Sequence, residues 1–123
     1  MTGKKILIVE DEVSIASALK IKLEREGYLV FLGTNGQEGL DLVLKEVPDL
    51  ILLDIAMPIM DGITMMKKLR ADVVGKTMDI LILTNSTRPN DISDILQYGV
   101  VDYLLKSQWR LDDLVEKIKT IVK

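Results

Sequence analysis

Short apolar segments alternate with amphipathic segments from one end of the chain to the other. Three of the apolar segments are nearly unbroken runs of Ile, Leu and Val, which is typical of strands buried on both faces of a parallel sheet. The pattern predicts five strands, at residues 5–9, 29–32, 50–53, 80–83 and 102–105.

Between the predicted strands, apolar residues recur every three or four positions, as they do on the buried face of an α-helix. Five segments follow this pattern, and each predicts one helix. Their apolar residues are Ile15, Ala16, Leu19 and Leu23; Leu40, Val43, Leu44 and Val47; Gly62, Met65, Met66 and Leu69; Ile92, Ile95 and Leu96; and Leu111, Leu114, Val115, Ile118 and Val122.

The ends of several predicted helices carry residues that favour helix termini. Asn35 followed by Glu38 resembles a capping box, and Asp61 can cap the third helix. Gly27 and Gly99 stand where a helix end needs a residue that tolerates positive φ. These signals place helix boundaries where the periodicity changes.

The alternation of strands and helices predicts an α/β fold, in which a five-stranded parallel sheet is covered by helices on both faces. The chain has 123 residues, which fits one domain that needs neither disulfide nor structural metal. No linker or repeat interrupts the pattern, so we expect residues 1–123 to form a single domain. Because the last predicted helix ends with the chain, the sequence favours a free-standing domain over one cut from a longer protein.

The composition limits the chemistry that is available to the chain. It contains no Cys and no His. This excludes thiolate catalysis, iron–sulfur clusters, Ser-His-Asp triads and nearly every transition-metal site. Any chemistry must therefore use carboxylates, hydroxyls, amines and hard cations.

The charge pattern argues against two classes of partner. The chain has 16 basic and 19 acidic residues, for a net charge of −3. No clustered basic face is visible, so we expect no direct nucleic acid binding. The longest apolar run has five residues, so we expect neither a membrane span nor a signal peptide, and a cytoplasmic location.

Polar residues follow four of the five predicted strands directly. The carboxyl ends of parallel strands meet at one edge of the sheet, which is where ligands bind in open α/β folds. We therefore expect these side chains to lie close together. They are Glu10, Asp11 and Glu12 after the first strand, Asp54 after the third, Thr84, Asn85 and Ser86 at the end of the fourth, and Lys106 and Ser107 after the fifth.

This set of residues predicts a site for a hard cation and a phosphoryl group. Asp11, Asp54 and Glu10 would repel one another unless a cation lies among them. Without His or Cys the ion is one that prefers oxygen ligands, with Mg²⁺ ahead of Ca²⁺ or Mn²⁺. Mg²⁺, Lys106 and a hydroxyl donor are together complementary to a phosphoryl group, and Asp54 could be the nucleophile that receives it as an aspartyl-phosphate.

Each of these residues also has an ordinary structural interpretation. Glu12 alone fits a helix cap equally well. Lys106 alone would be a solvated surface lysine, and Thr84 alone an ordinary strand-end threonine. The prediction of a site therefore depends on the set, at corresponding strand ends, and not on any single residue.

At this point the sequence resembles the receiver domain of two-component response regulators, over essentially the whole chain. The motifs that carry the resemblance are residues 6–12 (ILIVEDE), 52–58 (LLDIAMP), 60–62 (MDG), 83–85 (LTN) and 102–106 (DYLLK). The resemblance implies a flavodoxin-like fold with strand order 2-1-3-4-5. It also implies that Asp54 takes a phosphoryl group from the phosphohistidine of a histidine kinase or a histidine phosphotransfer protein.

The family also implies roles for the neighbouring residues. Asp11, Asp54 and the backbone carbonyl of Ala56 would ligate Mg²⁺, with Glu10 acting through water. Two further residues, Thr84 and Lys106, would hold the phosphoryl oxygens after transfer.

Signalling in this family proceeds through a conformational switch, in which Thr84 moves toward the phosphoryl group and Tyr103 turns inward. The face that changes would comprise the fourth predicted helix, the fifth strand and the closing helix. That face would control a downstream protein or an output domain, and a phosphorylation-dependent homodimer is one possible outcome. Self-dephosphorylation assisted by Mg²⁺ is also expected.

Two positions depart from the commonest family pattern. Ser107 stands where a proline usually follows the lysine through a cis peptide bond. A cis bond is costly before any residue other than proline, so we expect a trans bond or a differently shaped loop here. Asn85 is larger than the residue that often follows the threonine and would restrict access to Asp54.

Three alternative functions remain open at this stage. A Mg²⁺-dependent phosphatase with an aspartate nucleophile usually needs an acid two residues later, and Ala56 holds that position. A nucleotide or flavin binder would need a Gly- or hydroxyl-rich loop after the first strand, where this chain is acidic. A degenerate receiver that only binds proteins would not need Asp11, Asp54, Thr84 and Lys106 to be intact.

Overall fold

A computed structural model describes residues 3–55, 60–84, 93 and 95–122. Strands and helices alternate within this part of the chain. They are β1 (Lys5–Val9), α1 (Val13–Arg25), β2 (Leu29–Gly33), α2 (Gly36–Glu46), β3 (Leu50–Leu53), α3 (Gly62–Ala71), β4 (Ile80–Thr84), β5 (Asp102–Leu105), a 3₁₀ turn (Lys106–Gln108) and α4 (Leu111–Ile121).

The five strands form one parallel sheet in the order β2-β1-β3-β4-β5. The predicted fold class and strand order are therefore confirmed. Three of the strands have the predicted limits, while β2 extends to Gly33 and β4 extends to Thr84. The extension of β4 makes Thr84 the last residue of the strand itself.

The core has two layers, because successive side chains of a strand point to opposite faces of the sheet. Ile6 and Ile8 of β1 pack with α1 and α4 on one face. Leu7 and Val9 of the same strand pack with α2 and α3 on the other face. Helices therefore cover both faces, as predicted, and the central strands are buried on both sides.

The predicted caps are present, with one difference in their partners. The Asn35 side chain accepts a hydrogen bond from the Glu38 backbone N–H at 3.0 Å, and Asp61 accepts one from Thr64 at 2.8 Å. The Glu38 carboxylate, however, accepts hydrogen bonds from the backbone and hydroxyl of Thr34. It thus secures the residue before the cap and does not complete the expected reciprocal box.

The fourth predicted helix falls mostly outside the described residues. Of its predicted apolar residues, Ile95 and Leu96 are described and helical, and Ile92 is not described. In the part of the chain that the structure covers, no helix is both long enough and apolar enough to span a bilayer.

Arg70, near the end of α3, joins three segments of backbone. Its guanidinium donates hydrogen bonds of 2.8 Å to the carbonyl oxygens of Gly75, Met78 and Tyr98. Two longer bonds reach the carbonyl oxygens of Gly99, at 3.2 Å, and of Lys76, at 3.4 Å. Burial lowers the pKa of this guanidinium, which the charge of Asp79 partly opposes. We call this group of contacts the Arg70 clasp.

Candidate functional site

The candidate site lies at the edge of the sheet where the strands end. β1 and β3 are adjacent and in register at Val9 and Leu53, so the next residues, Glu10 and Asp54, emerge side by side. β5 ends one residue before Lys106, whose long side chain reaches back past the end of β4 to both carboxylates. The expected convergence of strands β1, β3 and β5 is thus present in the structure.

Lys106 contacts three carboxylates at this edge. Its ammonium nitrogen lies 2.5 Å from Glu10 Oε1, 3.3 Å from Asp54 Oδ2 and 3.3 Å from Glu12 Oε1. An ammonium group has three N–H donors, so these three carboxylates match its capacity. Its side chain is 9% exposed, and those of Glu10 and Asp54 are 4% and 6% exposed. The centre of the site is therefore a nearly dry ion cluster.

Three carboxylates at this edge could hold a metal ion. One oxygen atom from each of Glu10, Asp11 and Asp54 lies within 4.8 Å of the other two. Glu10 Oε2 is buried and has no hydrogen-bond partner among the residues that the structure describes. A buried oxygen without a partner is costly, so an added cation or its water would satisfy an unmet need. The donor set fits a hard cation.

The electrostatics of the cluster follow from burial and from charge proximity. Burial raises the pKa of Glu10 to about 8, although its hydrogen bond from Lys106 pulls the pKa down. Burial lowers the pKa of Lys106, but the hydrogen bond to Glu10 and the charge of Asp54 outweigh it, so that pKa lies above its ordinary value. In the metal-free protein the lysine is charged and Glu10 takes up a proton readily.

Glu10→Gln is expected to stabilise the metal-free protein in a pH-dependent way. Because the folded-state pKa of Glu10 is raised from 4.5 to about 8, its contribution to stability is present below pH 4.5 and is lost as the pH rises through 8. The amide of the variant does not titrate. We therefore expect the variant to gain about 4 kcal/mol over the wild type between pH 5 and 8.5, at about 1.4 kcal/mol for each pH unit in which the folded wild type alone holds the proton.

Urea unfolding in EDTA at several pH values measures this difference in the free energy of unfolding. A difference between the two proteins that stays constant from pH 5 to 8.5 would contradict the raised pKa of Glu10. With Mg²⁺ added, the difference in the free energy of unfolding between the variant and the wild type should become smaller or change sign. The reason is that the variant lacks a carboxylate that favours cation binding.

The two predicted switch residues lie on neighbouring strands. Thr84 is 1% exposed at the end of β4. Tyr103 is half-buried on β5, directly opposite Ile82, and packs against the core layer that contains α2 and α3. The movement of Thr84 and Tyr103 on signalling stays a prediction. The backbone carbonyl of Ala56 and the side chain of Asn85 lie outside the described residues.

The sequence did not show how closely the start of α3 packs on the site. A Cβ atom added at Gly62 would lie 2.6 Å from the carbonyl oxygen of Asp54 and 2.6 Å from Cα of Ile55. Only a glycine permits this approach, so Gly62 fixes the backbone that follows Asp54. The apolar stripe of the helix and the MDG motif both include Gly62, but neither indicates this close approach.

The loop after β5 has the form expected for a non-proline residue. The Lys106–Ser107 peptide bond is trans, as is every peptide bond in the described part of the chain. Residues Lys106–Gln108 form a short 3₁₀ turn, which begins immediately after the last residue of β5. Trp109 and Arg110 follow and line a cavity of about 170 Å³ between α1 and α4, beside Lys106.

The strand order 2-1-3-4-5 defines a flavodoxin-like α/β protein, and comparison with known proteins defines its class further. The family model described as response regulator receiver domain matches residues 6–119. The chain is 34% identical over 119 residues to sporulation initiation phosphotransferase F of Bacillus subtilis, which covers 97% of this chain and 94% of that protein. The chain therefore belongs to the response regulator receiver family of two-component systems.

Two further relatives extend this comparison. The alkaline phosphatase synthesis transcriptional regulatory protein PhoP of Bacillus subtilis is 42% identical over 104 residues, which are 85% of this chain and 42% of PhoP. The chain thus spans less than half the length of that relative. The chemotaxis response regulator CheY4 of Vibrio cholerae superposes with a TM-score of 0.88 at 29% identity, over 98% of this chain and 99% of that one.

Proposed function

We propose that this chain is a phosphoacceptor switch, in which Asp54 receives a phosphoryl group from a phosphohistidine on a histidine kinase or a histidine phosphotransfer protein. The observation that carries the proposal is the position of Asp54. Its carboxylate is buried beside Glu10 and the ammonium of Lys106, at the sheet edge where α/β folds bind ligands. Membership of the receiver family and the name of the phosphotransferase relative support it.

We further propose that Mg²⁺ is the cation of this site. Asp11, Asp54 and the backbone carbonyl of Ala56 would be its ligands, with Glu10 acting through a water molecule. When bound, Mg²⁺ neutralises the negative charge that gathers on the phosphoryl oxygens during transfer. Asp11 is exposed beside two buried carboxylates, so a cation held by this set would be accessible from solvent.

In the transfer step, a carboxylate oxygen of Asp54 forms a bond to phosphorus and the phosphorus–nitrogen bond of the donor breaks. The electron pair of that bond stays with the imidazole nitrogen, which takes up a proton. Lys106 places a positive charge 3.3 Å from the accepting carboxylate, so it can bind a phosphoryl oxygen with little movement. Thr84, buried at the end of β4, is the proposed hydroxyl donor to a second oxygen.

The proposed output follows from the neighbouring strand. Thr84 and Tyr103 lie on adjacent strands, so a shift of Thr84 toward the phosphoryl group would leave space that Tyr103 can occupy. New contacts made only in the phosphorylated state would bias this two-state equilibrium. The changed face would then bind a downstream protein, an output domain or a second copy of the chain. Slow hydrolysis of the aspartyl-phosphate by water would reset the switch.

Intact mass spectrometry after incubation with acetyl phosphate and Mg²⁺ tests this proposal. We expect one phosphoryl group to be added to the protein, and none to be added in EDTA. Acetyl phosphate supplies the phosphoryl group directly and releases acetate, so no cognate kinase is needed. An unmodified protein in saturating Mg²⁺ would overturn the phosphoacceptor function and favour a receiver that signals only by binding.

A further inference from the structure

Glu12 makes a contact that neither the fold nor the expected cation site explains. It is the residue before α1, where an acidic side chain often caps the helix. Here its side chain caps no backbone N–H group. Its Oε1 atom instead lies 3.3 Å from the Lys106 ammonium, and the side chain is 51% exposed. A helix-cap role for Glu12 is therefore wrong, and its contact is with the lysine of the site.

The three partners of Lys106 differ in what a cation would do to them. Glu10 and Asp54 belong to the carboxylate cluster that could hold the metal ion, and Glu12 does not. A cation bound to the first two carboxylates would weaken their attraction for the ammonium, because it neutralises their negative charge and repels the ammonium itself. The bond to Glu12 is the one that such a cation would change least.

From this geometry we infer that Glu12 is a positioning residue, which keeps the Lys106 ammonium beside Asp54 when a divalent cation takes the other two carboxylates. This inference rests on the proposed function. Glu12 gives the displaced ammonium an acceptor at the solvent side of the site, so the lysine need not move out into water. It then stays within reach of a phosphoryl group on Asp54.

A double-mutant cycle with Mg²⁺ alone tests the inference. Isothermal titration calorimetry would measure Mg²⁺ affinity in the wild type, Glu12→Ala, Lys106→Met and the double variant. We expect Glu12→Ala to weaken Mg²⁺ binding about threefold when Lys106 is present, because the displaced ammonium loses its acceptor. In the Lys106→Met background the same change should have a clearly smaller effect, since only the long-range loss of one charge remains.

Two controls keep this experiment interpretable. Glu116→Ala removes an equally charged residue on α4 that contacts Lys119 and is 74% exposed, so it should leave Mg²⁺ affinity unchanged. Because the Glu12 side chain caps nothing, Glu12→Ala should melt within a degree or two of the wild type. Glu12→Gln, which keeps the side-chain volume, provides a second version of the same test.

If Glu12→Ala weakens Mg²⁺ binding equally in both backgrounds, the positioning role is overturned. The effect would then come only from the loss of one negative charge near the site. The same variants, treated with acetyl phosphate, separate this result from the proposed function. If the two substitutions have additive effects on Mg²⁺ affinity and phosphoryl uptake is normal, only the proposed role of Glu12 is overturned. A non-additive cycle in a protein that takes up no phosphoryl group supports Glu12 and overturns the phosphoacceptor function.

Discussion

Asp54→Asn is expected to abolish phosphoryl uptake from acetyl phosphate completely. The amide nitrogen and oxygen of asparagine are poor nucleophiles, and the change preserves the size of the side chain. The variant also loses one of the three carboxylates that could hold the cation. Intact mass spectrometry in Mg²⁺ should show only the unmodified protein at a time when the wild type is fully modified.

Asp41→Asn is the matched control for this experiment. Asp41 is exposed in the middle of α2 and accepts a hydrogen bond from Gln37. This variant should take up a phosphoryl group at the rate of the wild type. Uptake that persists in Asp54→Asn would show that another residue is the acceptor, and peptide mapping of the modified protein would then identify it.

Arg70→Ala is expected to lower the free energy of unfolding by about 3 kcal/mol. The Arg70 clasp supplies donors to five backbone carbonyl groups, at Gly75, Lys76, Met78, Tyr98 and Gly99. An alanine leaves these acceptors without that donor. The change also releases the end of α3 from the segments that lead into β4 and β5. Urea denaturation monitored by circular dichroism measures the loss.

Two variants separate the hydrogen bonds of Arg70 from its charge. Arg70→Lys keeps the charge but lacks the planar guanidinium, so it should lose most of the same stability. Arg25→Ala removes an exposed arginine from the last turn of α1, and should change the free energy of unfolding by no more than about 0.5 kcal/mol. If Arg70→Ala lowers the free energy of unfolding by less than about 1 kcal/mol, water molecules satisfy the carbonyl groups as well as the guanidinium does.

Local chemistry made most of the fold predictable from the sequence. Unbroken apolar runs located β1, β3 and β4 because a parallel strand must be apolar on both faces. The caps at Asn35 and Asp61 were predictable because a short side chain binds backbone within three residues. The strand ends then located Glu10, Asp54 and Lys106 at one edge, since parallel strands all end on the same side.

The remaining features depend on contacts between distant segments. The Arg70 clasp binds backbone carbonyls, which every residue carries, so no sequence pattern marks its partners. The contact between Glu12 and Lys106 depends on the shape of the loop after β1. In the sequence, Glu12 alone fits a helix cap and Lys106 alone fits a surface lysine. The packing of Gly62 on the backbone after Asp54 depends on the angle at which α3 meets the sheet. None of these has a periodic signal.

The uneven burial of the sheet has a consequence for local opening of the protein. Every residue of β4 is buried, whereas three of the four residues of β5 are only partly buried, and β5 lies at the edge of the sheet that the described residues form. Strand β5 can therefore separate from the sheet at a lower free-energy cost than global unfolding, and its amide hydrogens should exchange with solvent before those of β4. Tyr103 lies on this less stable edge strand and Lys106 follows it directly, while Asp54 follows β3 in the buried centre of the sheet. The protein can thus rearrange the lysine and the tyrosine while the carboxylate that they respond to keeps its place.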